Sequence, residues 1–139
     1  MPLFILDTDH ISLIQRGHPR AGERFYATPE NELATSIITY GEQLRGRLAV
    51  VHRPANTTQL EIAYRRLREM HTFFCHIRLL DFTEQASVIY ETLRQQQRRL
   101  GTMDLRIAAI TLSVEGILVT RNRRDFAVIP NLPAEDWSH

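Results

Sequence analysis

Leu3-Phe4-Ile5-Leu6-Asp7-Thr8-Asp9 is the stretch on which the reading of this chain turns. Four consecutive apolar residues mark a short strand buried on both faces, the kind that parallel sheets contain. Three polar residues then end it at once, and the first is an acid. An acid placed directly after such a strand sits where α/β proteins bind ligands, beyond the carboxyl ends of the strands.

Outward from this strand, helical and strand patterns alternate. His10 to Arg16 reads as a short helix stopped by Gly17, and Pro19 and Pro29 bracket a second, Arg20 to Ala27. Leu33 to Ile37 reads as a strand, followed by a helix from about Thr39 to Ala49 and a loop at Arg53 to Asn56. Thr58 to Phe74 reads as an amphipathic helix opened by a capping box, Thr58-x-x-Glu61, with Ile62, Leu67, Met70 and Phe74 at helical spacing. Ile77 to Phe82 is a third strand, and Thr83 caps a helix from Glu84 to Leu100 that Gly101 ends. Asp104 to Glu115 is a further helix with Gly116 at its C′ position, and Ile117 to Thr120 is the clearest strand of all. A last short strand is expected around Ala127 to Ile129, before a proline-containing tail that reaches Trp137. The alternation predicts an α/β fold: a central, mostly parallel sheet flanked by helices on both faces, in a single domain over residues 1–139.

The composition, 43% hydrophobic and 24% charged, is that of a globular protein. No apolar run approaches the roughly 18 residues of a membrane span, and the N-terminus lacks the basic flank of a signal peptide. The expected location is therefore the cytoplasm, with no membrane partner. Cys75 is the single cysteine, so no internal disulfide can form, and between Phe74 and His76 it reads as core filler. The net charge of +1 points to no particular partner. All 17 basic residues are arginine, however. The guanidinium fork matches phosphate and stacks on bases, although a GC-rich coding sequence gives the same bias. The absence of lysine excludes mechanisms that need one. The six histidines show no metal-ligand spacing and read as surface or core residues.

Five positions fall at one edge of the expected sheet. Asp7 follows the first strand, Glu42 lies in the first turn of the helix after the second, and Asp104 opens its helix after a glycine turn. Asn122 and Asp125 follow the Ile117–Thr120 strand. Clustered carboxylates raise one another's pKa, and a hard divalent cation removes that cost. Such ions activate water and stabilise phosphoryl charge, so the pattern points to a metal-dependent phosphodiesterase. Each residue also has a structural explanation. Asp7 or Asp9 could cap the first helix, Thr39-x-x-Glu42 completes a capping box, Asp104 sits where an acid favours the helix dipole, and Asp125 could pair with the surrounding arginines.

Together the blocks resemble a known family. Phe4-Ile5-Leu6-Asp7-Thr8-Asp9-His10-Ile11 is similar to the opening of PIN-domain ribonucleases, and Ser36-Ile37-Ile38-Thr39-Tyr40-Gly41-Glu42 resembles their second block. Leu100-Gly101-Thr102-Met103-Asp104-Leu105-Arg106-Ile107-Ala108-Ala109 resembles the third, the most specific, and Ile117 to Phe126 the fourth. The tail, Phe126 to Leu132 with Glu135-Asp136-Trp137 after it, fits as well. The resemblance spans nearly the whole chain in order and spacing, and is greatest to the VapC-type toxins of bacterial toxin–antitoxin pairs. It implies a PIN-like domain and a Mg²⁺- or Mn²⁺-dependent endoribonuclease that cleaves RNA phosphodiester bonds by metal-activated water. It carries over Asp7, Glu42 and Asp104 as the acidic, metal-binding site. It also implies a homodimer inhibited by a small cognate antitoxin, with operator DNA bound only through that antitoxin.

One position departs from the family. Many members carry an acid two residues after the threonine of the fourth block, where this chain has Asn122. Asp125 is expected to supply that charge one helical turn later, as a fourth catalytic and metal-binding acid. Asn122, Thr8, Asp9 and Thr120 are expected to support the site, and Arg106, Arg121, Arg123 and Arg124 to hold the RNA backbone. Two alternatives stand beside this reading. Asp7-Thr8-Asp9 also resembles the start of haloacid-dehalogenase-like phosphatases, with Asp7 as nucleophile, but their usual lysine and late acid pair are missing. The Asn122 departure instead suits a non-catalytic PIN-like binding module in a repressor complex.

Overall fold

Phe4, Ile5 and Leu6 form strand β1 (Phe4–Leu6) at the centre of a five-stranded sheet in the computed structural model, which describes residues 2–97 and 99–139. Its neighbours are β2 (Leu33–Ser36) and β4 (Ile117–Val119), and β3 (Arg78–Leu80) and β5 (Ala134–Glu135) lie at the edges. The order is β3-β2-β1-β4-β5, and all four pairings are parallel.

Parallel neighbours cannot be joined by tight turns, so helices make the crossovers. Helices α1 (Thr8–Gln15) and α2 (Pro19–Ala27) link β1 to β2, and α3 (Ile37–His52) and α4 (Thr57–Cys75) link β2 to β3. Helices α5 (Glu84–Gln96) and α6 (Thr102–Ser113) carry the chain back to β4, and the short α7 (Arg123–Phe126) leads on toward β5. Successive strand residues face opposite sides. Leu6, Leu33 and Val119 pack with Ile11, Ile14, Met70 and Phe74 beneath α1 and α4. On the other face Ile5 and Ala34 meet Ala86 and Ile110, while Leu118 meets Leu93, Leu105 and Ala108.

The path of the chain creates one crevice. From β1 it steps to β2 and β3, then returns past β1 to β4 and β5. The order reverses between β1 and β4, and such a reversal opens a ligand crevice at the strands' carboxyl ends. Asp7 directly follows β1, and Thr120 directly follows β4.

Several local expectations are corrected. Helix α3 starts two residues early, because Ser36 caps it by accepting from the amide of Thr39, 3.1 Å. Helix α4 is capped by Asn56, not by a box at Thr58 and Glu61. Thr83 does cap α5, but α5 ends at Gln96 and Gly101 is the N-cap of α6. Glu115, not Gly116, takes the left-handed conformation after α6, with φ 54°. Gly116 is needed for a different reason: a Cβ there would lie 2.1 Å from Ile5 Cδ1 and 3.0 Å from the Leu3 carbonyl. The last strand is Ala134–Glu135, whereas Ala127 to Ile129 follows α7 and seats Ile129 in the core. Cys75 is exposed at the end of α4.

Candidate functional site

Asp7 is held by both the sheet and the helix. Its amide donates to the Val119 carbonyl, 3.0 Å, extending the β1–β4 ladder, and its Oδ1 caps α1 by accepting from the His10 amide, 2.8 Å. The capping and site readings are therefore compatible, since the cap occupies one oxygen. The other makes no hydrogen bond among the described residues. The side chain is nearly buried at the mouth of the crevice.

Glu42 is not part of a capping box. Thr39 is fully buried, and its hydroxyl lies 3.1 Å from that of Thr8, which in turn donates to Glu42 Oε1 at 2.6 Å. The Ser36 hydroxyl points at Thr39, 3.4 Å. Because the single Thr8 proton is given to Glu42, Thr39 must donate to Thr8. The protons thus run from Ser36 through Thr39 and Thr8 to the Glu42 carboxylate, tying α1 to α3.

Asp104 lies in the first turn of α6, whose cap, Gly101, offers no side chain to the helix end. Its carboxyl is pushed above the ordinary value, first by burial and then by the negative charges of Asp7, Glu42 and Asp125. Asp7, Glu42 and Asp125, from separate parts of the chain, therefore lie within electrostatic reach of Asp104. As they stand, no group of three Asp, Glu, His or Cys side chains among the described residues is drawn together closely enough to hold a metal ion.

The remaining expected residues divide. Asp125 is exposed on α7 and makes no ion pair among the described residues, so pairing with neighbouring arginines does not explain it. Asn122 occupies the N-cap position of α7 without a side-chain cap, and its amide donates to the buried Thr120 hydroxyl, 3.0 Å. Asp9 is half-exposed and pairs with Arg121, 3.5 Å. Arg106 lies over the Tyr90 ring, 5.6 Å from its centroid, beside a pocket of about 370 Å³ lined by Ile37, Ile38, Glu42, Arg45 and Met103. Arg123 and Arg124 are exposed on α7.

Sequence reasoning missed His10, which is fully buried with Nδ1 3.4 Å from Asp7 Oδ1. The available signal was its position one turn beyond Asp7 in a helix that Asp7 starts. It also missed Ser36 and Thr39, whose hydroxyls steer Glu42, and Arg45 beside the pocket. No described helix is long and apolar enough to cross a membrane.

Comparison with known proteins adds the family. The PIN domain model matches residues 4–132. Ribonuclease VapC1 of Haemophilus influenzae strain R2866 is 28% identical over 142 aligned residues, covering 98% of each chain. The structure of VapBC-1 from nontypeable Haemophilus influenzae superposes with a TM-score of 0.77 at 29% identity, over 99% of each chain. That of DNA-bound VapBC from Salmonella typhimurium gives 0.76 at 27% identity, again over 99% of each chain.

Proposed function

The chain belongs to the PIN-domain family, and from that premise we propose that it is a VapC-type toxin, an endoribonuclease that cleaves RNA phosphodiester bonds. What supports the reading is Asp104, whose carboxyl is raised first by burial and then by the charges of Asp7, Glu42 and Asp125, with Asp7 at the carboxyl end of β1 beside the β1–β4 crevice. Family membership displaces the haloacid-dehalogenase alternative.

The donor set fits a hard divalent cation. The facing groups are carboxylate and hydroxyl oxygens, which Mg²⁺ and Mn²⁺ prefer, and the mutual repulsion felt by Asp104 is what a cation relieves. Asp7 and Asp104 would hold the ion, with Glu42 and Asp125 as further ligands. A bound Mg²⁺ or Mn²⁺ would supply an activated water and stabilise charge on the phosphate. The chain's own groups prepare the site for this. The His10 amide fixes Asp7, and the Thr8–Thr39 relay keeps Glu42 an acceptor turned toward α1. Arg106, Arg123 and Arg124 remain available to the RNA backbone, while Arg121 is engaged by Asp9. Asn122 and Thr120 shape the turn that presents Asp125.

The proposed partners follow the family: a second copy of this chain, a small cognate antitoxin and, through that antitoxin, operator DNA. The test is to incubate the purified protein with bacterial RNA and sequence the fragment ends. Discrete cleavage is expected, falling by more than about 100-fold in Asp104→Ala and in excess EDTA, since even supporting residues of metal sites cost 10–100-fold. Undiminished cleavage in either arm removes the reading. A well-folded wild type that cleaves nothing leaves the binding module in its place.

A further inference from the structure

We infer that His10 is a positioning residue for Asp7, and that the C-terminal tail sets the tautomer with which it acts. The inference rests on reading Asp7 as a site carboxylate. His10 has no solvent exposure. Its Nε2 lies 3.2 Å from the backbone nitrogen of Trp137, which donates to it. A backbone amide offers only a proton, so Nε2 must present its lone pair, and a neutral ring then carries its hydrogen on Nδ1.

Nδ1 makes no hydrogen bond among the described residues, although it is buried. A buried donor without a partner is costly to keep in a core. What Nδ1 faces is Asp7 Oδ1 at 3.4 Å, a few tenths of an ångström beyond a formed bond. The same oxygen already takes the His10 amide at 2.8 Å. The backbone nitrogen and Nδ1 of one residue therefore address one carboxylate oxygen of Asp7 and leave its second oxygen without a hydrogen bond among the described residues. Contacts of this kind commonly tighten only when a site is loaded.

The tail is anchored well enough to set the ring. Trp137 is buried, its ring packs 5.2 Å from that of Phe4, and its Nε1 donates to Glu135 at 3.0 Å. Arg24 lies over the indole, 5.0 Å from its centroid. One other charged group faces Nε2: Asp136 Oδ1 at 3.5 Å. That oxygen is already occupied by the Ser138 amide and hydroxyl, at 2.8 and 2.6 Å. The Trp137 amide is thus the partner of the ring nitrogen, and the tail reaches the acidic site through a single imidazole.

The experiment compares His10→Phe, which keeps an aromatic ring but has neither the Nδ1–H nor the acceptor for Trp137, with His10→Asn, whose side-chain N–H takes the place of Nδ1–H while the Trp137 amide again loses its ring acceptor. Mn²⁺ affinity by calorimetry, kcat and KM for RNA cleavage, and thermal stability are measured on the full chain. His10→Phe is expected to lose 10–100-fold in Mn²⁺ affinity and in kcat, with KM unchanged, and His10→Asn to recover most of it. The imidazole ¹⁵N spectrum of metal-free wild type should show the proton on Nδ1, which tests the geometry even if His10→Phe does not fold. Wild-type affinity and kcat in folded His10→Phe, or a proton on Nε2, overturns the inference alone. A wild type that neither binds Mn²⁺ nor cleaves RNA removes the functional reading and this role with it.

Discussion

At the amino ends of β1 and β4, Gly116 approaches Ile5 and Leu3 so closely that no side chain fits between them. At the carboxyl ends of the same strands the chain buries Asp7, His10 and Thr120, with Thr35, Ser36 and Thr39 beside them on β2 and α3. Burying polar groups costs free energy unless each finds a partner. Of the buried polar side chains among the described residues only Thr111 lies away from this edge, and its hydroxyl donates to the Ile107 carbonyl of its own helix, 2.9 Å. One end of the sheet is thus close-packed and apolar, which serves stability. The other accepts orphaned and mutually repelling groups, which is the pattern of a functional site rather than of a core.

The contrast predicts that damage at the two ends is read by different measurements. The largest effect belongs to the apolar end. Gly116→Ala places a Cβ 2.1 Å from Ile5 Cδ1 and 3.0 Å from a backbone oxygen, and Ile5 is fully buried with little room to move. A loss of about 1–3 kcal/mol is expected in urea denaturation, as for other overpacked cores. RNA cleavage per folded molecule should not change. A variant that keeps its stability but loses activity would show that the two ends are not independent.

Next in size is the polar end. Thr8→Val keeps the branched shape but removes the hydroxyl that donates to Glu42. We expect kcat to fall about tenfold, the lower range for a residue that orients a ligand, with Thr8→Ser restoring most of it. A large drop in stability with unchanged kcat would place the Thr8–Thr39 relay with the structural end instead.

The same contrast explains what could be read from the residues in order. Strands β1 and β4 are continuous apolar runs, so the central parallel sheet was legible. Strand β5 is only Ala134 and Glu135 and exists by its ladder to Leu118 and Val119, which no local pattern announces. Apolar Ala127 to Ile129 imitated it. Threonine and glutamate recur at box spacing in several registers, and only packing decides that Ser36 and Asn56 are the caps. Asp7, Asp104 and Asp125 were visible by position, because each follows a strand or lies in the first turn of a helix, whereas Glu42 falls in the second turn of α3, which begins earlier than its sequence suggests. Grouping them in one proposed site depends on which strands are neighbours, and that grouping came from the order of the blocks rather than from any periodicity. His10 stayed hidden because a histidine in an apolar stretch reads as core, and its partner Trp137 lies 127 residues away.

The smallest predicted effect tests whether the polar end is electrostatically strained without metal. The folded chain holds the Asp104 proton more tightly than the unfolded one, first through burial and then through Asp7, Glu42 and Asp125. Its ionisation therefore opposes folding. The cost is absent below the ordinary value of 3.8, grows as the pH climbs toward the raised folded value, and is fully present above that. Asp104→Asn removes the charge, so the metal-free variant should melt above wild type at pH 7, with the gap closing as the pH falls from the raised folded value toward 3.8. The gain is modest because the side chain is only partly buried and salt screens its neighbours. Adding Mn²⁺ should narrow or reverse the order, because an ion that binds the folded wild type more tightly stabilises it by mass action. A metal-free variant that melts below wild type at pH 7 would mean that these carboxylates do not repel, and the two ends would then differ in packing alone.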